Sequence, residues 1–350
     1  GSSSSQLTFF AEPFSAMAAG WTIRRRLLAL LVLRSSLLPA TSLDSPIIAV
    51  VTHPNNEALG WIAGEFIVAS YVKFVEAAGG RAVALSYYAT DAEVDHLASS
   101  VNGLLLPGGG STMPKSVDRF MRHSRQLFEA KGENLPVWGS CLGFEWMVDH
   151  VQKGSIKTGF FAFNLSQPLL LTPSAAKSRL LGDAPRTVLD AVGKRNTTFN
   201  SHFEGISPKD FAQSKALQAT YDVLATDVDL AGHPFVSTIE AKAGLPWYGV
   251  QWHPEKNTFE HGMQDGRPYE NIPHGPDAVL VEQYVANFFI SEARKSTQSF
   301  ARTEDLQSRF LLGLPTSTDM SPGFEEIYRF RRDASGRLHP VGASEGSLLV

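Results

Sequence analysis

The sequence predicts a three-layer α/β/α sandwich with a mainly parallel central sheet. Short apolar runs rich in branched side chains, such as Ile47–Val51, are typical of strands buried on both faces. They alternate with longer amphipathic segments, such as Lys115–Lys131, which are typical of helices. A glycine-rich turn at residues 107–110 directly follows one of the apolar runs. Because strands that alternate with helices are joined by crossovers, we expect parallel strands with helices on both faces of the sheet.

The individual elements are predicted from local patterns along the chain. Strands are predicted at residues 47–51, 81–85, 103–106, 135–139, 221–226, 235–240 and 247–250. Helices are predicted at residues 63–78, 91–99, 115–131 and 277–294, and another begins near residue 142. The first helix ends at Gly79 and Gly80, which are typical of a helix C-cap. Residues 155–220 show no clear period, so we expect loops and short helices there.

The composition excludes several classes of protein. The 350 residues carry 31 Lys and Arg against 35 Asp and Glu, and this net charge of −4 argues against nucleic-acid binding. The single cysteine, Cys141, allows neither an internal disulfide nor a zinc site built on cysteine pairs. His and carboxylate residues show no metal-ligand spacing, and no apolar run reaches the roughly 18 residues of a membrane span. We therefore expect no metal, no cofactor and no stable membrane span.

The two ends of the chain differ in composition from the main domain predicted at residues 45–297. Residues 1–16 are predicted to be a tag or disordered leader. Residues 17–43 place a basic cluster before an apolar run and small polar residues, which predicts a signal peptide. The alternative for that segment is a short amphipathic or disordered leader. Residues 298–350 are rich in Ser, Arg, Gly and Pro, which predicts a flexible extension outside the core.

The cysteine lies between small residues at a predicted strand-to-helix turn, Gly-Ser-Cys-Leu-Gly at residues 139–143. Cys141 would stand at the carboxyl end of a parallel strand, where open α/β sheets bind ligands. It would also lie at a helix N-terminus, whose dipole favours a thiolate. The pattern indicates a nucleophile elbow with cysteine in place of serine. Taken alone, it is also typical of a buried cysteine at a tight turn.

Two further segments follow predicted strands. In Gln-Trp-His-Pro-Glu, His253 and Glu255 are two residues apart and can share one face of an extended chain. A histidine oriented by a carboxylate is the base that a cysteine nucleophile needs, although a surface His–Glu pair has the same sequence. In the glycine-rich turn, successive glycine amides can bind an anion, and one of them can form an oxyanion hole together with the Leu142 amide. The alternative for this segment is a plain turn.

Together these segments resemble the class I glutamine amidotransferase-like superfamily and, within it, the γ-glutamyl hydrolases (folylpolyglutamate hydrolases). The resemblance runs from about residue 45 to residue 297. It is most specific in Trp-Gly-Ser-Cys-Leu-Gly-Phe-Glu at 138–145 and Gln-Trp-His-Pro-Glu-Lys at 251–256. It implies a flavodoxin-like amidotransferase fold. The catalytic residues that it implies are Cys141 as nucleophile, His253 as general base and acid, and Glu255 as third member, with oxyanion-hole amides at Gly109 and Leu142.

The resemblance also implies which residues bind the substrate. These residues are Gly108, Glu145, His202 and Gln251. His202 lies in Asn-Ser-His-Phe-Glu-Gly-Ile-Ser at 200–207, which looks like the Asn-His-x-x-Gly-Ile-Ser segment of the family. Ser201 stands where that segment usually has Asn.

The activity that the resemblance implies is hydrolysis of γ-glutamyl bonds in folylpoly-γ-glutamates and related conjugates, through a thioester. The partners would be this small-molecule substrate and a second subunit in a homodimer, in the secretory pathway with a lysosomal, vacuolar or extracellular destination. Because a polyglutamate tail is polyanionic, we expect a basic rim. A glutaminase component that supplies ammonia to a synthetase, and a catalytically silent folate-binding protein, remain as alternatives.

Overall fold

The computed structural model describes Gly1 and residues 44–55, 64–154, 157–307, 309–333 and 337–342. The predicted signal peptide at 17–43 and all but the first residue of the predicted leader at 1–16 lie outside the described residues.

Strands and helices alternate along most of the described chain. The strands are β1 (Ile47–Val51), β2 (His53–Pro54), β3 (Glu65–Val68), β4 (Arg81–Leu85), β5 (Gly103–Leu106), β6 (Val137–Ser140), β7 (Thr158–Gln167), β8 (Leu170–Leu171), β9 (Thr198–Gly205), β10 (Tyr221–Val228), β11 (Pro234–Ala241), β12 (Trp247–Val250), β13 (Met263–Gln264), β14 (Arg267–Pro268), β15 (Ile327–Arg332) and β16 (Leu338–Pro340). The α-helices are α1 (Ala69–Ala77), α2 (Asp91–Ala98), α3 (Lys115–Lys131), α4 (Leu142–Gln152), α5 (Arg186–Lys194), α6 (Pro208–Gln213), α7 (Lys215–Thr220), α8 (Lys256–Phe259), α9 (Pro276–Ala293) and α10 (Thr303–Gln307). A short 3₁₀ helix covers Ala175–Lys177.

The main sheet of the described residues has eight strands in the order β4-β1-β5-β6-β12-β11-β10-β8. The first five strands in this order, β4, β1, β5, β6 and β12, pair in parallel. Strand β11 pairs antiparallel with both β12 and β10, and β8 pairs antiparallel with β10. The predicted fold class, an α/β sandwich with a mainly parallel central sheet, is confirmed.

Helices cover both faces of this sheet. Since successive side chains of a strand point to opposite sides, each strand contributes to the packing on both faces. Ile48 and Val50 of β1 pack into one core with side chains of α1 and α9. Ile47, Ala49 and Val51 pack into a second core with side chains of α2, α3 and α4. The sheet therefore separates two apolar cores.

Two regions differ from the sequence-based expectation. Strands β7 and β9 pair antiparallel within residues 155–220, where we expected loops and short helices. Residues 65–68, expected to be helical, form β3 between β2 and β15. In both cases the strand is stabilised by a partner distant in sequence, which a local period does not reveal.

The expectation that residues 298–350 lie outside the core is wrong for part of that segment. Strand β15 pairs antiparallel with β3. Leu311, Ile327 and Phe330 are buried in the same core as α1 and α9. Burial of these apolar side chains and pairing of the β3 edge hold this part of the segment to the domain.

Candidate active site

The predicted catalytic segments converge at the carboxyl ends of the parallel strands of the main sheet. The glycine-rich turn follows β5, Cys141 follows β6, and His253 lies three residues after β12. Because β5, β6 and β12 are adjacent parallel strands, their carboxyl ends lie side by side. Segments more than 100 residues apart in sequence therefore meet in space.

Cys141 occupies a strained backbone conformation at these strand ends. Its φ is 51° and its ψ is −108°, a positive-φ conformation that costs a residue with a Cβ about 1–3 kcal/mol. The Cys141 amide donates to the Val250 carbonyl at 2.8 Å. A Cβ on Gly143 would lie 2.1 Å from the Leu106 carbonyl oxygen, so only glycine allows this close approach. The sharp turn directs the thiol away from β6 at the end of the strand, as in a nucleophile elbow.

His253 and Glu255 form a buried ion pair beside the thiol. The His253 Nδ1 lies 2.7 Å from the Glu255 Oε1, and both side chains are buried. The His253 amide donates to the Phe199 carbonyl of β9 at 2.8 Å. This bond connects the loop after β12 to the antiparallel pair of β7 and β9. Pro254 lies between the two residues and restricts the backbone around them. The structure thus brings the three predicted catalytic residues together.

The His253 ring is positively charged over a wide pH range. Burial lowers the pKa of His253. The charges of Cys141 and Glu255 and the hydrogen bonds with both side chains raise it by more than burial lowers it, so the pKa is about 10. An imidazolium next to a sulfur favours the thiolate, which is the nucleophilic form of cysteine. The arrangement can therefore provide a nucleophile and a proton donor for acyl transfer.

Glu145 and Gln251 form one wall next to the sulfur. The Gln251 Nε2 donates to the Glu145 Oε1 at 3.1 Å and lies 3.9 Å from the Cys141 Sγ. The Gln251 Oε1 is buried and has no hydrogen-bond partner among the described residues. Lys157 donates to the Glu145 Oε2 at 3.2 Å. Burial raises the pKa of Glu145, and Lys157 and Gln251 partly oppose this rise.

The wall beyond Glu145 is not the basic rim that we expected for a polyanionic tail. The Lys157 Nζ lies 3.2 Å from Glu145, 3.8 Å from Asp149 and 2.9 Å from Glu204. Three carboxylates therefore surround one cation there, and the local charge is negative.

His202 presents an unpaired ring nitrogen inside the fold. Its Nδ1 donates to the Glu204 carbonyl at 2.7 Å, so in the neutral ring the Nε2 is an acceptor. That Nε2 is buried without a partner among the described residues. Burial lowers the pKa of His202 to about 4; the bond to Glu204 raises it, and the charge of His253 lowers it further. The ring packs edge-on against Phe235 at a centroid distance of 4.8 Å. His202 is therefore a neutral, oriented acceptor.

Gly108 is packed among catalytic side chains. A Cβ at this position would lie 2.6 Å from the His253 Cε1 and 3.2 Å from the Cys141 Cβ. Its amide donates to the Tyr71 hydroxyl at 2.6 Å. The Gly108 amide therefore has a partner, and the amides predicted for an oxyanion remain those of Gly109 and Leu142. Leu142 is the first residue of α4, where an amide has no carbonyl partner within the helix.

The sequence-based reasoning missed two residues that contact this turn, Tyr71 and His53. Tyr71 lies in a segment of the family resemblance, but neither its type nor its spacing indicated a role. Its hydroxyl also lies 3.4 Å from the His253 Nδ1. His53 follows β1 in a segment where no motif was recognised.

The described residues contain no group of three or more His, Cys, Asp or Glu side chains placed to bind a metal ion. Within the same part of the chain, no helix combines the length and the apolar character that crossing a membrane requires.

A mainly parallel α/β sheet, with a strained cysteine at a strand end and a buried His–Glu pair beside it, defines the class: a cysteine hydrolase with an α/β fold. The family model described as Peptidase C26 matches residues 46–255, and the chain belongs to this family. The matched range includes Gly109, Cys141, His253 and Glu255.

Named relatives cover most of the chain. It is 34% identical over 293 residues to the gamma-glutamyl hydrolase of Mus musculus, covering 82% of this chain and 90% of that protein. It is 32% identical over 296 residues to gamma-glutamyl hydrolase B of Dictyostelium discoideum, covering 82% and 83%. It is 33% identical over 292 residues to the gamma-glutamyl hydrolase of Homo sapiens, covering 81% and 89%.

Proposed function

We propose that the chain is a cysteine-dependent hydrolase that cleaves γ-glutamyl bonds of folylpoly-γ-glutamates and related γ-glutamyl conjugates. The observation that carries the proposal is Cys141, held at positive φ beside the raised-pKa imidazolium of His253. The names of the relatives supply the substrate class. The activity places the chain among folate γ-glutamyl hydrolases, which are omega peptidases.

The first half of the reaction forms a thioester. The Cys141 thiolate attacks the side-chain carbonyl carbon of a γ-linked glutamate, and the carbonyl electron pair moves to oxygen. The Gly109 and Leu142 amides donate to this oxyanion. His253 gives its proton to the departing nitrogen as the C–N bond breaks. The amine product leaves, and the acyl group remains on sulfur with a neutral His253.

The second half hydrolyses the thioester. The neutral His253 takes a proton from water, and the hydroxide attacks the same carbonyl carbon. Collapse of the oxyanion breaks the C–S bond and releases the acid. Cys141 returns to the thiolate and His253 to the imidazolium. The Glu255 carboxylate, 2.7 Å from the His253 ring, orients the ring and stabilises its charge in both halves.

The pocket side chains support recognition of hydrogen-bond donors. The His202 Nε2 and the Gln251 Oε1 are buried acceptors that have no partner within the described residues. A γ-glutamyl chain carries an amide N–H at every linkage, so these acceptors can receive hydrogen bonds from such linkages. Satisfying a buried acceptor contributes about 1–3 kcal/mol, because leaving it unsatisfied costs that much.

The test of the proposed function is product analysis with a defined folate polyglutamate, alongside glutamine and a γ-glutamyl peptide. We expect release of glutamate or of a γ-glutamyl peptide from the folate substrate, and little ammonia from glutamine. Preferential release of ammonia would instead favour the glutaminase alternative. Binding of the folate without any cleavage would favour the silent folate-binding alternative.

Replacement of His202 is expected to weaken substrate binding more than chemistry. His202→Phe removes the Nε2 acceptor, and we expect KM to rise about tenfold with kcat changed less than about threefold. His202→Gln offers an amide oxygen to the same region and should restore part of the affinity. Initial rates over a range of substrate concentrations measure both constants. A fall in kcat alone would contradict the binding role.

We further propose, from the family resemblance, that the chain acts as a homodimer in the secretory pathway, with a lysosomal, vacuolar or extracellular destination. Light scattering of the purified protein should give twice the mass of one chain. Fractionation of expressing cells should place the activity in a membrane-enclosed compartment or in the medium. A single-chain mass or a cytosolic location would contradict the respective proposal.

A further inference from the structure

We propose that His53 is a positioning residue that sets the orientation of the Gly109 amide in the oxyanion hole. The inference rests on the proposed cysteine-hydrolase function, because only that reaction forms an oxyanion at Cys141. Neither the family resemblance nor any sequence motif pointed to this residue. Its role follows from contacts on one peptide unit of the glycine-rich turn.

His53 lies directly against this turn. Its Nε2 is 2.8 Å from the Gly108 carbonyl oxygen, and since a carbonyl only accepts, the Nε2 carries the proton and donates. Its Nδ1 is then the acceptor of the neutral ring and lies 3.2 Å from the Ser111 Oγ. Burial lowers the pKa of His53 to about 4, against a rise from the bond to Gly108. The neutral tautomer with Nε2–H is therefore the form present at neutral pH.

Packing leaves the His53 ring little freedom. The ring is buried and contacts Phe66 and Trp146, at a ring-centroid distance of 5.7 Å from each. A Cβ on Gly109 would lie 2.6 Å from the His53 Cε1. The ring thus holds the Gly108 carbonyl from a fixed position and requires glycine at 109.

The Gly108 carbonyl and the Gly109 amide belong to the same peptide unit. In a planar trans peptide the C=O and the N–H point in opposite directions, so a fixed carbonyl also fixes the amide. The preceding peptide unit is held as well, because the Gly108 amide donates to the Tyr71 hydroxyl at 2.6 Å. His53 and Tyr71 therefore hold the two peptide units on either side of the Gly108 Cα.

A turn of successive glycines needs such restraint. Glycine populates both signs of φ with similar ease, so an unrestrained peptide between Gly108 and Gly109 could rotate its N–H away from the site. The turn lies against the nucleophile, since a Cβ on Gly108 would lie 3.2 Å from the Cys141 Cβ. An oxyanion-hole donor is effective only when it is oriented before the reaction begins. His53 supplies this orientation through its bond to the Gly108 carbonyl.

The test compares His53→Leu with His53→Gln in the full-length protein. His53→Leu removes the donor to the Gly108 carbonyl, and we expect kcat for γ-glutamyl hydrolysis to fall about 10–100-fold, with KM changed less than about twofold. His53→Gln carries an amide N–H of similar reach and should recover most of kcat. His150→Leu is the matched control, because His150 is also buried and hydrogen-bonded, to Asp118 at 2.7 Å. Its kcat should remain within about threefold of the wild type.

Alkylation of Cys141 by iodoacetamide separates the two proposals. Alkylation uses the thiolate but forms no oxyanion, so His53→Leu should react at the wild-type rate while its hydrolysis falls. If the wild type hydrolyses γ-glutamyl bonds and His53→Leu keeps its kcat, the positioning role is wrong and the proposed function stands. If His53→Gln recovers nothing, or the loss lies in KM, the positioning role is also wrong. If the wild type cleaves no γ-glutamyl bond, the proposed function fails and the inference fails with it.

Ser111→Ala provides a second variant if His53→Leu does not fold. This change removes the hydroxyl beside the His53 Nδ1 and keeps the ring in its packing site. We expect kcat to fall about threefold with KM unchanged, because the Ser111 hydroxyl donates to Nδ1 and thereby favours the tautomer that carries the proton on Nε2. An unchanged kcat in Ser111→Ala would overturn the role of His53.

Discussion

Cys141→Ala is expected to lower the rate of γ-glutamyl hydrolysis by at least about 10⁴-fold. The chain has no other thiol that could form the thioester. The pocket side chains and the oxyanion-hole amides stay in place, so we expect folding and substrate affinity to be retained. Glutamate release measures the rate, and calorimetric titration with a folate polyglutamate measures the affinity. Hydrolysis within tenfold of the wild-type rate would exclude Cys141 as the nucleophile.

Ser140→Ala is a suitable control for this prediction. Ser140 precedes the nucleophile, and its Oγ accepts from the Trp138 Nε1 at 3.1 Å, on the buried side of the elbow. Losing this bond is expected to cost about 1 kcal/mol of unfolding free energy and to leave kcat within about threefold. A loss as large as that of Cys141→Ala would mean that disruption of the turn, rather than loss of the thiol, explains the effect.

The strain at the elbow is expected to appear in stability. Both Cys141→Ala and Cys141→Gly remove the thiol, but only glycine accepts a φ of 51° without cost. We expect the free energy of unfolding of Cys141→Gly to exceed that of Cys141→Ala by about 1 kcal/mol. Urea denaturation of the two variants measures the difference. Equal stabilities would show that the backbone there is not strained.

His253→Gln is expected to lower kcat by about 10³–10⁴-fold. The variant loses both the proton donor for the departing nitrogen and the base for water. It also loses the positive charge beside Cys141 that favours the thiolate. Single-turnover measurements should show both thioester formation and its hydrolysis to be slow. A variant slowed only in thioester hydrolysis would show that another group protonates the departing nitrogen.

The pH dependence of alkylation is expected to distinguish the wild type from His253→Gln. In the wild type the pKa of His253 is raised to about 10, so the ring keeps its proton at neutral and mildly alkaline pH and loses it as pH rises through that value. Because this imidazolium favours the thiolate, iodoacetamide should react faster with the wild type than with His253→Gln at neutral pH. The difference should narrow as pH rises through about 10, where the ring loses its proton. Equal rates for the two proteins at neutral pH would contradict the thiolate–imidazolium pair.

The parallel half of the fold was predictable because its patterns are local. Strands β1, β4, β5 and β12 and helix α3 have the predicted bounds, since a buried apolar run or a helical period is visible in one short window. The antiparallel pair of β7 and β9 was not predicted, because a segment of about 30 residues separates the two strands along the chain and each strand is stabilised by the other. The same holds for β3, whose partner β15 lies more than 250 residues further along the chain.

The candidate site divides in a similar way. Cys141, His253 and Glu255 could be identified from motifs, because the chemistry requires those residue types at those spacings. Glu145, His202 and Gln251 came from the family resemblance, and the structure places Glu145 and Gln251 beside the sulfur and His202 as a buried acceptor. His53 and Tyr71 could not be found, because their roles consist of contacts with backbone atoms and leave no trace in the local sequence.

The sequence by itself determined the mainly parallel α/β class, and it placed a glycine-flanked cysteine and a His-x-Glu segment after predicted strands. The tertiary structure decided which groups meet: the imidazolium at the thiol, the acceptors in the pocket and the two side chains that hold the Gly108 peptide units. It also decided that part of the C-terminal segment completes the core. The reason is physical, because residue type and spacing act within a few residues, whereas the direction of an amide and the charge of a ring depend on atoms packed around them from distant parts of the chain.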